Sequence, residues 1–465
     1  MESSVDVGLY VQRRAQLAGR LREAGGGVAI VPTAPERRRN DSDHPYRYDS
    51  YFHYLTGFAE QGAWLVLDSE GRSVLFCLPR DPDSEIWDGY RLGPESAPVA
   101  LGVDSAWPVA LLDEKLPALL AHQSAVWAPF GVHGGLETHI EEWLGRLRAR
   151  AGDGIECPST QRNVCVPLDE MRLTKDAVEL ATMRRAAQIS AGAHARAMRF
   201  CAARRAEEPN ATLREYEIEA ELLHEFRRHG AQSPAYPSIV ATGANACVLH
   251  YAAANAPLRA GELCLVDAGC ELDGYASDIT RTWPVSGRFS SAQRTLYDIV
   301  RAAQEAAIAH TRPGLRKMDA HWAAVGVLAQ GMLDVGLLDR DTHGSVDDVI
   351  ASGAYRRFYM HGTGHWLGRD VHDVGEYLSL GEQPFEQPDG RGQRVVRKPS
   401  RRLEPGMVVT IEPGIYVRPA ADVPEQYWNI GIRIEDDAVV NEAGCELISR
   451  GVPVEAAQIE ALFDV

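Results

Sequence analysis

At 465 residues the chain is too long for one ordinary domain, so two or more are expected. A formal net charge of -17 argues against nucleic acid as a partner, because phosphates need a basic surface. No apolar run reaches the roughly 18 residues of a membrane span, the N-terminal stretch lacks the apolar segment of a signal peptide, and eight cysteines scattered without a Cys-x-x-Cys pair read as reduced thiols of a cytoplasmic protein.

In chain order, an amphipathic helix is predicted over residues 7–24, ending at three glycines and followed by the strand VAIVP. AWLVLD and SVLFCLP flank a Ser-Glu-Gly turn and predict a hairpin. Helical patterns cover roughly 108–121 and 135–150, with the strand-like SAVWAP between them. Residues 1–172 are therefore expected to form an α/β domain, and residues 173–465 a second one. There a long helix runs from Thr174 to about Cys201, and another opens on a capping box of Thr212 and Glu215. A third opens on Ser290 and Gln293 and reaches about Thr311. The remaining polar residues of interest fall in strand-and-turn segments between and after these helices.

Four carboxylates in those segments need an explanation. In ELCLVDAGCELDGYASDITRTW, two strand-like runs surround the turn signal Asp273-Gly274. A turn centred on Leu272-Asp273 sets Asp267 directly opposite Asp278, and one centred on Asp273-Gly274 makes them diagonal neighbours. Both registers place the two acids on one face, where like charges destabilise unless a cation lies between them. Glu412 ends an apolar run before Pro413-Gly414, and the alternation Ile430, Ile432, Ile434 puts Arg433 and Glu435 together on one face. A lone strand-end acid is ordinarily solvated or salt-bridged; four of them beside a histidine cluster suggest metal ions sharing carboxylate bridges.

The histidine cluster is YMHGTGHWLGRDVHDVG, which holds His361, His365 and His372. A His-x-x-x-His pair on a helix would suggest a zinc protease, but Gly-Thr-Gly between the two histidines is poor helix material.

Taken together, VDAG…SDITRT, HGTGHWLGRDVHDVG, TIEPGIY and GIRIEDD resemble the pita-bread metallopeptidases, most closely their aminopeptidase P branch. RRRNDSDHPYRYDSYFHYLTGF and SEIWDGYRLG resemble that branch's N-terminal domain. The resemblance implies a C-terminal α+β domain of two pseudo-twofold halves, whose curved antiparallel sheet encloses a dinuclear metal site. It carries the family's ligands onto Asp267, Asp278, His365, Glu412 and Glu435, with Asp278 and Glu435 bridging two divalent ions, Mn²⁺ by the family's example. Four carboxylates and one imidazole independently suit Mn²⁺, Mg²⁺ or Co²⁺ better than a thiolate-preferring zinc site. Two such ions about 3.5 Å apart lower the pKa of a shared water toward neutrality.

The same resemblance assigns His250 and His372 to substrate binding and oxyanion stabilisation, and His361 to the proline side of the pocket. Glu412 gains a second role in proton transfer. Arg433 orients Glu435, reaches substrate, or is a structural ion pair, and Tyr416 partners it near the site. The glycines around His365 are expected to let backbone approach metal or substrate. Trp87 is implied to narrow a neighbouring subunit's entrance in a homo-oligomer, a tetramer or dimer, and core packing is its plainer alternative. The implied reaction is release of the first residue from peptides with proline second. The rivals are prolidase, which cuts Xaa-Pro dipeptides, and a non-catalytic pita-bread binding module; methionine aminopeptidase and metal-free creatinase fit poorly.

Overall fold

The computed structural model describes residues 7–208, 212–252, 255–389 and 392–464. It divides into two compact units, Met1–Met171 and Arg172–Val465.

The first unit is built on a six-stranded mixed sheet. Val28–Pro32 lies at its middle, antiparallel to Trp64–Asp68 and parallel to Ala125–Ala128. The expected hairpin forms, with Trp64 opposite Phe76. The helix expected over 108–121 begins at Leu112, because Ser105–Pro108 is instead a short strand lying parallel to Ser73–Cys77. Helices bury their apolar faces on the sheet, Leu136–Arg148 through Ile140, Trp143, Leu144 and Leu147.

The second unit repeats one plan twice. Helices Ala177–Glu207 and Glu215–Arg228 pack together beside the antiparallel strands Ile239–Thr242, Leu263–Asp267 and Thr280–Pro284. Helices Ser291–His310 and Lys317–Asp334 pack together beside Val408–Ile411, Asp436–Asn441 and Gly444–Leu447, with Gly414–Val417 and Ile430–Arg433 as a further pair. One continuous apolar core joins both halves, with Trp283, Tyr297, Trp366 and Ile432 buried in it. This is the two-halved α+β plan that the resemblance implies.

Three expectations change. The capping box falls two residues late: Arg214 N is capped by Glu217 at 2.8 Å, and Glu215 turns inward instead. The box at Ser290 and Gln293 forms as expected. Helix Lys317–Asp334 was not expected, because its small apolar residues face several directions and blur the 3.6-residue period. The first long helix also continues past Cys201 to Glu207.

Tight backbone contacts fix the hairpin that carries the two aspartates. A Cβ on Gly269 would lie 1.7 Å from the Ser277 carbonyl oxygen, a distance no side chain tolerates. Gly269→Ala is therefore expected to lower stability by about 3 kcal/mol or more, whereas Gly444→Ala, with open space at its Cβ, stays within about 0.5 kcal/mol. Denaturant midpoints of the two variants test the contrast, and equal midpoints would refute it.

Candidate functional site

The acids are placed by strand ends. Leu272 pairs with Tyr275 and Asp267 with Thr280, so the turn is Asp273-Gly274 and Asp267 and Asp278 are diagonal neighbours. Both turn residues adopt positive φ, 50° and 76°, as a two-residue hairpin turn of this twist requires. In the other half Glu412 follows Val408–Ile411, and Glu435 lies between Ile430–Arg433 and Asp436–Asn441. Thr280 joins the halves: its carbonyl accepts from Glu435 N at 3.1 Å, and its hydroxyl donates to Glu435 Oε2 at 2.6 Å.

The histidine segment is extended, as Gly-Thr-Gly foretold. It runs beside the strand at 408–411, with Thr410 N donating to His365 O at 3.0 Å and Glu412 N to Thr363 O at 2.9 Å. A Cβ on Gly364 would sit 1.9 Å from Thr410 O. This glycine thus admits a neighbouring strand, and together with Gly362 it also lines the site cavity.

The three histidines are held differently. His365 Nδ1 donates to Trp366 O at 2.9 Å, which leaves Nε2 facing Asp278 Oδ2 at 3.4 Å and Glu412 Oε1 at 3.8 Å. His361 Nδ1 donates to Gly362 O at 2.7 Å, and its Nε2 accepts from Tyr416 Oη at 2.8 Å. Burial and the nearby Arg433 push His361 down to about 3, so it is neutral with both nitrogens engaged by protein. It is a wall of the site. His372 stands edge-on to His365, ring centres 4.3 Å apart, and faces the cavity.

A cavity of about 840 Å³ gathers the set: Asp267, Asp278, Glu412, Glu435, Arg433 and all four of His250, His361, His365 and His372 line it. Tyr416 is buried behind it, donating to His361 and accepting from Arg433 Nη1 at 3.0 Å. Arg433 Nη2 pairs with Asp267 Oδ2 at 2.6 Å and Nε with Thr280 Oγ1 at 3.1 Å, so among the described residues its hydrogen-bonded link to Glu435 runs through the threonine they share, while its charge also favours the Glu435 carboxylate. Trp87 lies in the first unit on helix Pro82–Asp88, where it is 87% exposed, so the core-packing alternative does not hold.

Donor atoms of Asp278, His365 and Glu435 fall within 4.8 Å of one another. Among the described residues, the four carboxylates here share the cavity lining with one guanidinium. Burial and mutual repulsion raise Asp278, bring Glu412 up to about 7, and hold Glu435 well above the carboxylate range. Burial would lower His365, but Asp278 and Glu412 beside it leave it raised. An oxygen-rich, negatively overcharged pocket with one well-aimed imidazole fits divalent cations.

Sequence reasoning missed Tyr236. Its hydroxyl lies 2.7 Å from Asp267 Oδ1 and 2.5 Å from Asp278 Oδ1, and one phenolic proton cannot serve both. A tyrosine before Pro237 carries no pattern that announces such a role. Asp437 was also missed: it is fully buried and accepts from Asp278 N at 3.2 Å. The only sequence signal for it was the unusual Glu-Asp-Asp run.

Comparison with known proteins gives the same picture. Residues 181–442 match the model of metallopeptidase family M24, and residues 10–127 match that of the aminopeptidase P N-terminal domain. The Xaa-Pro aminopeptidase of Escherichia coli strain K12 is 42% identical over 459 residues, covering 98% of this chain and 97% of that relative. The solved structure of Pseudomonas aeruginosa aminopeptidase PepP is 43% identical, with a TM-score of 0.89 over 99% of this chain and 98% of its own. A zinc-substituted E. coli aminopeptidase P in complex with product is 41% identical, with a TM-score of 0.88 over 99% and 98%.

The raised carboxyls set a pH dependence. Without metal the folded protein holds protons that the unfolded chain releases, so these groups make it less stable as pH rises from the ordinary carboxyl range through about 7. Divalent cations compete with those protons. The rise in melting temperature on adding Mn²⁺ to chelator-treated protein is therefore expected to be larger at about pH 8 than at about pH 5.5. An equal rise at both would contradict the site's charge state.

Proposed function

The chain belongs to metallopeptidase family M24, joined to an aminopeptidase P N-terminal domain, and from that premise we propose how its site releases the first residue of a peptide whose second is proline. It is a metal-dependent hydrolase of the Xaa-Pro aminopeptidase class. The observation that carries the mechanism is the convergence of four buried or half-buried carboxylates and one imidazole on one cavity wall.

We assign Asp267, Asp278, His365, Glu412 and Glu435 to holding two divalent ions, with Asp278 and Glu435 central to the cluster. When bound, such a pair supplies Lewis acidity and activates water toward a peptide carbonyl. Mn²⁺ is our choice of ion, supported by the oxygen-rich donor set. Arg433 orients Asp267 through their ion pair, and Thr280 orients Glu435.

The other residues act on substrate. His250 and His372 line the cavity and neither ring makes a hydrogen bond among the described residues, so we read them as binding the scissile carbonyl and steadying its oxygen as charge develops. His361, fixed by Tyr416, presents a neutral ring as a wall for the proline. Glu412, whose Oε2 is 3.6 Å from His361 Nδ1, takes and returns the proton that passes to the leaving nitrogen.

Aminopeptidase action is favoured over prolidase by the N-terminal domain match and the full-length relatives. A homo-oligomer, tetramer or dimer, in which Trp87 narrows a neighbour's entrance, is supported by the exposed Ile86, Trp87 and Tyr90. Cytoplasmic residence is supported by eight unpaired cysteines.

Two experiments bear on this. Xaa-Pro-Yaa peptides are expected to be cleaved at least about tenfold faster than Xaa-Pro dipeptides, roughly 1.4 kcal/mol of discrimination; cleavage of dipeptides alone would make the enzyme a prolidase. Asp278→Asn is expected to reduce bound metal and lower kcat by a factor on the order of 1,000 or more, as loss of a central electrostatic group does. Full activity in that variant would end the two-metal assignment.

A further inference from the structure

We propose that Glu215 is a positioning residue for the peptidase reaction: its buried carboxylate holds in place the loop that carries His250. The inference rests on the reading of His250 as a substrate-binding group.

Glu215 opens helix Glu215–Arg228 and is fully buried. Its Oε1 accepts from Thr242 N and from Asn245 Nδ2, both at 3.0 Å. Its Oε2 accepts from Tyr251 Oη at 2.9 Å and from Ala256 N at 3.2 Å. One carboxylate thus gathers the two ends of a segment, at Thr242 and Ala256, and two points between them. All its acceptor sites are used. The backbone adds a clasp, with Glu215 N donating to Ala256 O at 3.1 Å and Leu258 N to Leu213 O at 2.8 Å.

His250 depends on this. It lines the cavity and is exposed toward it, yet makes no hydrogen bond of its own among the described residues. Its aim therefore comes from its backbone, and Tyr251 next to it is bonded to Glu215. None of the four hydrogen bonds of the Glu215 carboxylate goes to Asp267, Asp278, His365, Glu412 or Glu435; its nearest link to them is the strand Ile239–Thr242, which pairs with Leu263–Asp267, and for that reason bound metal is measured beside the rate.

The chemistry at this position calls for an acid. In Glu215→Gln, either orientation of the amide sets an NH₂ group against a backbone N–H, of Thr242 or of Ala256. The loop must then shift, and a shift of about 1 Å at a substrate-positioning group costs up to about 100-fold in rate.

The test is a double-mutant cycle on the metal-loaded enzyme, with an Xaa-Pro-Yaa peptide as substrate and bound metal measured in every variant. Glu215→Gln is expected to retain wild-type metal content and to lose about tenfold or more in kcat/KM. In a His250→Ala background the same change is expected to cost less than about twofold, because the two residues act as one. Asn245→Ala removes one of the four donors from off the cavity wall, and covers the case in which Glu215→Gln does not fold. It should show a smaller loss with the same dependence on His250. Equal losses in both backgrounds, or full activity in Glu215→Gln, would overturn the proposal. A His250→Ala enzyme with wild-type rate would overturn the reading of His250 and this inference with it.

Discussion

The second unit is organised around a repulsion. Asp267, Asp278, Glu412 and Glu435 converge, buried or half-buried, on one cavity, and among the described residues Arg433 is the guanidinium that lines it with them. Uncompensated buried charge costs several kcal/mol per ion, so such a cluster persists only if covalent geometry and hydrogen bonds hold each acid in place. Strand ends do the first. Thr280, Tyr236 and the backbone around Asp278 do the second, so that protons or cations are admitted and the side chains do not swing apart.

That demand explains a framework of buried charge behind the site. Arg281, fully buried, pairs with Asp436 at 2.8 Å and donates to Glu435 O at 2.6 Å, fixing the backbone on which Glu435 sits. Arg172 and Lys175 clamp Asp373 at 2.6 and 3.0 Å, which anchors the residue after His372. Lys317 donates to Gly364 O, and His321 bonds Thr363 Oγ1 at 2.8 Å, so the His361–His365 segment is tied from below. Each loop that presents a histidine is thus held by a charged or polar residue outside the recognisable motifs.

Legibility in the sequence followed the range of the interactions. The α/β first unit, its hairpin and the Ser290 box were readable because periodicity and capping are local. The five proposed ligand positions were legible as a group because motif spacing is local and resembles a known family, and all five line one cavity. The hairpin register stayed open until Asp273 and Gly274 were seen at positive φ, since both registers keep the aspartates on one face. Helix Lys317–Asp334 was hidden by small residues whose burial comes from packing on Ser291–His310. Tyr236, Asp437 and Glu215 were invisible for a related reason: their partners lie 31 to 159 positions away for Tyr236–Asp267 and Asp278–Asp437, distances that no local pattern encodes. The Thr212–Glu215 misreading shows the cost of that blindness, since a pattern suggesting a helix cap concealed a long-range tie.

The division of the proposed ligand set between the two halves bears on how the molecule is made. Asp267 and Asp278 come from the first half, while His365, Glu412 and Glu435 come from the second. During synthesis the aspartate pair leaves the ribosome well before His365, Glu412 and Glu435 do, and over the stretch between Asp278 and His365 the chain carries only two of the five groups. With that ligand set, ions would not template the first half, and their binding energy would enter after the halves meet, as linkage to a nearly finished fold. Metal would then act as the last stitch, and a cell short of it would accumulate a chain folded but incompletely fastened at its centre.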